Sequence, residues 1–332
     1  MSTPAILVTG GAGFIGSHTC KALAGAGYLP VTLDNLSRGN RQDVRWGPFV
    51  EADTRDTARV AAALRQHRVS AVIHFAAYAY VGESVEQPEI YYDANVGGLL
   101  SVLRACREAG VDKVIFSSSC ATYGIPDAVP ICEDAPQRPI NPYGRTKLIG
   151  EQVLIDYARA YGMHHAILRY FNAAGADPAG ELSEKHVPET HLIPLALMAA
   201  AGRIPRLDVY GTDYPTPDGT CIRDYIHVAD LADGHRLALT HLLGGGADLE
   251  LNLGTGHGQS IFEVLDAVRR VTGRSVPTRL CPRRPGDPPA LVADAGRARR
   301  MLGFAPQHSG IETIVRHAAP SFGVEKRHEE RA

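Results

Sequence analysis

Residues 8–16 read Val8-Thr9-Gly10-Gly11-Ala12-Gly13-Phe14-Ile15-Gly16, an apolar run that drives into three glycines spaced three apart, Gly10, Gly13 and Gly16. Ala5-Ile6-Leu7-Val8 before them predicts a buried strand, and the pattern from Ser17 to Gly25 predicts a helix. The chain must therefore make a tight strand-to-helix turn within a few residues. In such a turn one glycine supplies a permissive backbone, one lets the backbone approach a pyrophosphate and one lets helix pack on strand. The helix start adds free N–H groups and the positive end of its dipole.

A second apolar run, Pro30-Val31-Thr32-Leu33, ends at Asp34-Asn35. A carboxylate at that distance can accept hydrogen bonds from ribose hydroxyls and repels a 2′-phosphate, which favours NAD. A glycine-rich turn alone is a weak signal; between strand and helix, with Asp34 following, it is specific.

Alternation continues through the first half. Apolar runs at Phe49–Asp53, Ala71–Ala77, Lys113–Ser119 and Ala166–Phe171 are separated by helical patterns over Thr57–His67, Asn95–Ala109 and Tyr143–Tyr161. This predicts an α/β fold, a Rossmann-type doubly wound parallel sheet, with ligands at the carboxyl ends of its strands. From about Ala173 proline and glycine become dense, as in Asp213-Tyr214-Pro215-Thr216-Pro217-Asp218-Gly219. The expected division is a dinucleotide-binding domain over 1–172, a smaller mixed α/β lobe over 173–332, and a return of the chain to the first domain near 225–255. The charged tail, 323–332, is expected to fray.

The 332 residues suffice for a full core, and a net charge of −2 leaves no basic footprint for nucleic acid. Cys20, Cys106, Cys120, Cys132, Cys221 and Cys281 show neither CxxC nor Cys/His metal spacing, so they read as reduced thiols, and no metal site is expected from them. With the first strand starting within five residues of Met1 and no apolar stretch near the ~20 residues of a membrane span, a cytoplasmic protein without membrane contact is expected.

Tyr143-Gly144-Arg145-Thr146-Lys147 carries the chemistry. Four apart on a helix, Tyr143 and Lys147 share a face, and an ammonium near a phenol favours the phenolate. The expectation is a tyrosine lowered from about 10 by one to three units, usable as a general base. Ser117-Ser118-Ser119 ends the strand before it, placing the Ser119 hydroxyl where it can hydrogen-bond a sugar oxygen.

With these residues the chain resembles the extended short-chain dehydrogenase/reductases, and among them the UDP-sugar 4-epimerases of the UDP-glucose 4-epimerase type. The resemblance spans about Ala5 to Phe304. It rests on Thr9–Thr19, Leu33–Asn40, His74-Phe75-Ala76-Ala77, Val81-Gly82-Glu83-Ser84, Asn141-Pro142-Tyr143, Leu168–Asn172, Asp218–Val228 and Pro282-Arg283-Arg284-Pro285-Gly286-Asp287. It implies Tyr143 as the base for the sugar 4-hydroxyl, Ser119 on that oxygen and Lys147 on the nicotinamide ribose. It further implies NAD contacts from Phe14, Ile15, Asn35, Phe75, Ala76 and Ala77, with Asp53 and Thr54 beside the adenine, Asn95 at the phosphates and Tyr170 near the nicotinamide. Asn172, Leu192, Tyr210, Arg223, Tyr225, Arg284 and Asp287 would hold the UDP moiety, and the family pairs two helices, here Val96–Ala109 and Leu148–Tyr161, across a two-fold axis as a homodimer. The implied activity is inversion at C4 of UDP-galactose or UDP-glucose through a 4-keto sugar, with NAD kept through the cycle.

Three positions depart from the family pattern. Tyr78-Ala79-Tyr80 stands where many relatives carry a lysine, His191 where the family has a phosphate-side asparagine, and Leu291 where the sugar pocket wall is either a large aromatic or a small residue. Tyr78-Ala79-Tyr80 and Cys120-Ala121-Thr122-Tyr123-Gly124 also resemble the UDP-arabinose (UDP-xylose) 4-epimerase branch, and Leu291 leaves N-acetylated sugars open. A nucleotide-sugar dehydratase normally carries Thr-Asp-Glu where this chain has Ser119-Cys120-Ala121. A net reductase would leave the UDP-side motifs unused, and a non-catalytic NAD binder would not need Ser119, Tyr143 and Lys147.

Overall fold

The computed structural model describes residues 3–284 and 287–324. Its first part follows the order β1 (Ala5–Thr9), α1 (Phe14–Gly25), β2 (Leu29–Asp34), β3 (Phe49–Glu51), α2 (Thr57–Gln66), β4 (Val69–His74), α3 (Val81–Glu86) and α4 (Pro88–Tyr91). A π-helical turn, Tyr92–Gly97, leads into α5 (Gly98–Ala109), followed by β5 (Lys113–Ser119), α6 (Pro142–Tyr161) and β6 (His164–Tyr170). All five residues of β1 are buried, as befits a central parallel strand covered on both faces. Alternate residues serve opposite cores. Leu7 packs with Val60, Leu64 and Leu103 from α2 and α5 and with Leu154 from α6; Ile6 and Val8 join Leu23 of α1 on the other face.

The remaining elements are β7 (Asn172–Ala174), α7 (Leu192–Ala200), β8 (Leu207–Tyr210), β9 (Ile222–His227), α8 (Val228–Leu243), β10 (Leu249–Leu253), β11 (Gly258–Ser260), α9 (Ile261–Thr272), β12 (Thr278–Cys281), β13 (Ala290–Leu291), α10 (Gly296–Leu302) and α11 (Ile311–Ala318). Seven parallel strands run β3-β2-β1-β4-β5-β6-β10, so the chain changes direction across the sheet between β1 and β4. Such a switch point opens a crevice at the strands' carboxyl ends. β9 forms a smaller sheet with β11, β13 and β7, and β8 pairs β12 separately. Ile193, Leu197, Val264, Val268 and Ile314 fill a second core there.

The chain returns to the large sheet through α8, whose Leu231, Leu239 and Leu242 pack on it, and through β10 at its edge. Tyr225 lies in β9, in the smaller sheet, so the return begins at Val228 rather than at 225. The first helix starts at Phe14, not Ser17, because Gly13 already takes the extended N-cap backbone. Pro285, Gly286 and 325–332, which hold most of the charged tail, lie outside the described residues.

Candidate active site

Both sheets border one cleft of about 1040 Å³. Its inner floor is the glycine-rich turn. Gly10 has φ +71°, and a Cβ there would meet the Ala76 backbone N at 2.7 Å; a Cβ on Gly16 would meet the Gly10 carbonyl O at 2.2 Å. Only glycine fits either position. No side chain caps α1, whereas Asn141 caps α6 through Gly144 N at 2.8 Å and Ser260 caps α9. The first N–H groups of α1 are thus left for a ligand.

Asp34 ends β2 with Oδ2 accepting from Ala12 N at 3.0 Å and Oδ1 from Leu36 N at 2.8 Å. Burial raises its carboxyl above the ordinary range, against these two bonds. Asn35 donates to Asp53 at 2.9 Å, and Arg55 clasps Asp53 at 2.8 Å, so hydrogen bonding from the guanidinium holds that carboxyl well below its usual range. These groups, with Thr54, Phe14, Ile15, Phe75, Ala76 and Ala77, line the dinucleotide-sized half of the cleft. The glycine cradle, uncapped helix start and lone carboxylate at β2 fit NAD.

Asn95 lies beside the cleft lining rather than in it. Buried in the π-helical turn, it is spent on the loop after β4. Its Oδ1 accepts from Tyr78 N at 2.8 Å, and its Nδ2 donates to Tyr78 O and Thr146 Oγ1, both at 3.0 Å. Its work is to hold Tyr78-Ala79-Tyr80 in place.

At the inner end Tyr143 and Ser119 are each 7% exposed and Lys147 is 3% exposed. Lys147 Nζ donates to the Ser117 carbonyl at 2.8 Å and sits 5.9 Å from the centre of the Tyr143 ring. Burial lowers this lysine to about 8. The expected drop in the tyrosine does not come from the protein's own groups: burial pushes Tyr143 upward, and a hydrogen bond from Ser119 opposes it only in part. Desolvation disfavours the charged phenolate, and the neighbouring Tyr170 pushes the same way. Tyr170, bonded to Ser117 at 2.7 Å, is pushed up to about 12 by burial. Behind α6, Glu151 pairs with the buried Arg169 at 2.7 Å and accepts from Ser118, fixing the helix against β5 and β6.

The outer end comes from the smaller lobe, where Asn172, Leu192, Tyr210, Tyr225 and Leu291 line the wall. Arg223 donates to the carbonyls of Ile222 and Pro288 at 2.8 and 2.9 Å and pairs with Asp287 at 3.3 Å. Arg283 is spent on Asp213 at 2.7 Å, while Arg284 lies over the Tyr210 ring at 4.0 Å and faces the cleft. His191 contacts Glu184 at 2.7 Å and Glu189 at 3.1 Å; burial lowers it, but the two carboxylates outweigh burial and raise it.

Sequence reasoning missed Arg38 and the Glu184 group as site features. Arg38 stacks on Tyr78 and Tyr80 at 5.5 and 5.1 Å, pairs with Glu83 at 2.6 Å and reaches Val187 O at 3.3 Å. It spans the cleft mouth between the loop after β2, the loop after β4 and the smaller lobe. The family motif contains this arginine, but nothing in its spacing reports where it reaches.

Fold and site together define a dinucleotide-binding α/β protein with a buried Ser-Tyr-Lys group. The NAD dependent epimerase/dehydratase family matches residues 6–254. The chain belongs to that family. It is 52% identical over 318 residues to the UDP-glucose 4-epimerase of Rhizobium leguminosarum bv. trifolii, covering 96% of this chain and 97% of that one. The corresponding protein of Rhizobium meliloti (strain 1021) is 54% identical over 303 residues, covering 91% and 92%. The UDP-glucose 4-epimerase from Brucella ovis, solved in complex with NAD, superposes with a TM-score of 0.95 at 61% identity, covering 97% of this chain and 99% of that chain. Among the described residues no helix is long and apolar enough to cross a membrane.

Proposed function

We propose that this chain is an NAD-dependent UDP-sugar 4-epimerase that interconverts UDP-galactose and UDP-glucose. The observation that carries the reading is the grouping of Tyr143, Ser119 and Lys147 at the desolvated end of a cleft whose other end offers Arg284. Tyr143 Oη takes the proton of the 4-hydroxyl, and Ser119 Oγ holds that oxygen. When bound, NAD⁺ supplies the hydride acceptor for C4 and a ring charge that lowers the neighbouring phenol. Lys147 Nζ orients the ribose side and adds its own charge. The 4-keto sugar then turns about its link to the diphosphate and presents the opposite face of C4 for return of the same hydride, while Tyr143 gives its proton back to the C4 oxygen.

Turning requires an anchored UDP and a loosely held sugar ring, so binding energy sits on the part that does not react. Arg284, with a planar cation suited to paired phosphate oxygens, and the Arg223–Asp287 strap serve that anchor. Leu291, a mid-sized side chain in the cleft wall, sets the room beside the sugar. The test is chromatographic separation of UDP-galactose and UDP-glucose after incubation with purified protein and no added reductant, beside Tyr143→Phe.

We also infer a homodimer through α5 and α6, on which Leu100, Leu148 and Ile155 stay partly exposed. Sedimentation showing a monomer at micromolar concentration would remove that inference. The division into an NAD-binding domain (1–172 with Val228–Leu253) and a UDP-sugar lobe is supported by the separate cores. A cytoplasmic location is supported by the free cysteines.

A further inference from the structure

The segment between β7 and α7 carries Glu184-Lys185-His186-Val187-Pro188-Glu189-Thr190-His191, four metal-ligating side chains in the spacing Glu-x-His-x-x-Glu-x-His. One ligand atom from each lies within 4.8 Å of every other. Glu184 Oε1 is 2.9 Å from His186 Nδ1 and 2.7 Å from His191 Nδ1, and Glu189 Oε1 is 3.1 Å from His191 Nδ1. Tetrahedral coordination with bonds of about 2.0–2.1 Å sets neighbouring donors about 3.3 Å apart. The three close pairs would open by a few tenths of an ångström, and the remaining pairs, within 4.8 Å, would settle toward the same spacing.

Without a metal, the one proton that His191 Nδ1 can carry is shared between two carboxylate oxygens, while Glu184 Oε1 can accept from both Nδ1 atoms. The Glu184 side chain is 4% exposed, so its charge requires a compensating partner, a place the His191 ring takes at 2.7 Å and a metal ion can take instead. Two carboxylates and two neutral imidazoles sum to a charge that one divalent ion cancels. Among the described residues this is the one group of such ligands that converges, and three of its members are partly exposed, which gives an ion access.

We propose that Glu184, His186, Glu189 and His191 bind one divalent transition-metal ion, with zinc the best match to two imidazole nitrogens and two carboxylate oxygens in a closed four-ligand shell. Each imidazole gives the lone pair of Nδ1 and keeps its proton on Nε2; any second proton leaves to solvent as the metal enters. The ion is structural, and the proposal does not rest on the epimerase reading. His186 packs edge-on against Phe14 of the glycine-rich turn at 6.1 Å and against Tyr80 at 5.9 Å, so the metal pins the wall of the smaller lobe against the NAD half. It also fixes His191 with Nε2–H as a donor on the ring edge away from the metal.

The test uses the full chain, stripped with a chelator and titrated with Zn²⁺ against a chromophoric competitor, then with Co²⁺ as a spectroscopic probe. The expected result is one equivalent bound per chain and the strong visible bands of tetrahedral Co²⁺. Glu184→Gln and His186→Ala should each weaken zinc by more than about 100-fold, beyond the effect of losing an outer-shell partner. Circular dichroism checks that the variants fold, and the wild-type titration stands without them. Absence of zinc binding by the wild type, or uptake unchanged in both variants, overturns the proposal.

Discussion

At the inner end of the cleft Tyr143, Ser119 and Lys147 are each less than a tenth exposed, and the one cation there is held near pKa 8 by burial. At the outer end Arg284 is exposed and stacked on Tyr210, with Arg38 and His191 bordering the same opening. The inner end is dry and poor in charge; the outer end is wet and rich in it. The contrast teaches how one cleft can grip a nucleotide diphosphate by charge while leaving a sugar ring few contacts and a proton acceptor that is active only when its surroundings are complete.

The sharpest way to break this contrast is Tyr143→Phe. Loss of the proton acceptor should reduce kcat by roughly 10³-fold, within the range for general acid–base groups, with UDP binding by calorimetry almost unchanged. Lys147→Met should cost roughly 10²-fold in kcat at pH 7 without lowering the melting temperature of the protein. Lys147 falls from 10.5 to about 8 on folding, so the unfolded state holds more protons between those values. Stability on its account rises with pH across that window, and below pH 8 the full cost of the buried charge is present.

At the outer end Arg284→Ala should act on KM instead, raising it about 10- to 100-fold, as expected for a charged hydrogen bond of about 1.5–3 kcal/mol. Arg223→Ala should affect both constants, since it also holds Asp287 and Pro288.

Acid acts through buried histidines in both lobes, His227 of β9 among them. Burial lowers His74 to about 3 and His18 and His235 to about 4, on β4, α1 and α8 around the large sheet. Because the unfolded histidines sit near 6.5, the unfolded state takes up protons first as pH falls, and stability is lost from 6.5 toward 4. Each group contributes about 1.4 kcal/mol per pH unit in that range. Trp46, which packs against this core, should report the transition by fluorescence. The smallest effect is expected at the sugar wall: Leu291→Ala should raise kcat/KM for UDP-N-acetylgalactosamine about tenfold relative to UDP-galactose, the scale of a few methylene groups.

What the sequence disclosed divides along the same line. Gly10, Gly13, Gly16 and Asp34 were legible because backbone geometry and strand spacing dictate residue type there. Tyr143, Lys147 and Ser119 were legible because helix periodicity and a strand end place them together. The direction of the Tyr143 shift was not legible, since burial of the phenol, and the Tyr170, Cys120 and Tyr91 groups that raise it further, depend on segments the helix period does not place. Arg284 could be told from Arg283 only by resemblance; the structure explains it, because Asp213 occupies Arg283. Asn95 has the residue type for a phosphate contact, but a π-helical turn aims it at the Tyr78 backbone. Glu184, His186, Glu189 and His191 follow no helical or strand period, and only the loop's path brings them together.

The most direct test is incubation of the full chain with UDP-galactose in D₂O, with and without Tyr143→Phe, followed by chromatography and mass analysis. The expected result is interconversion with UDP-glucose, no deuterium at C4 and no net reductant consumed, collapsing in the variant. Failure to invert C4, deuterium incorporated at C4, or undiminished turnover in Tyr143→Phe would contradict hydride return and proton transfer through Tyr143.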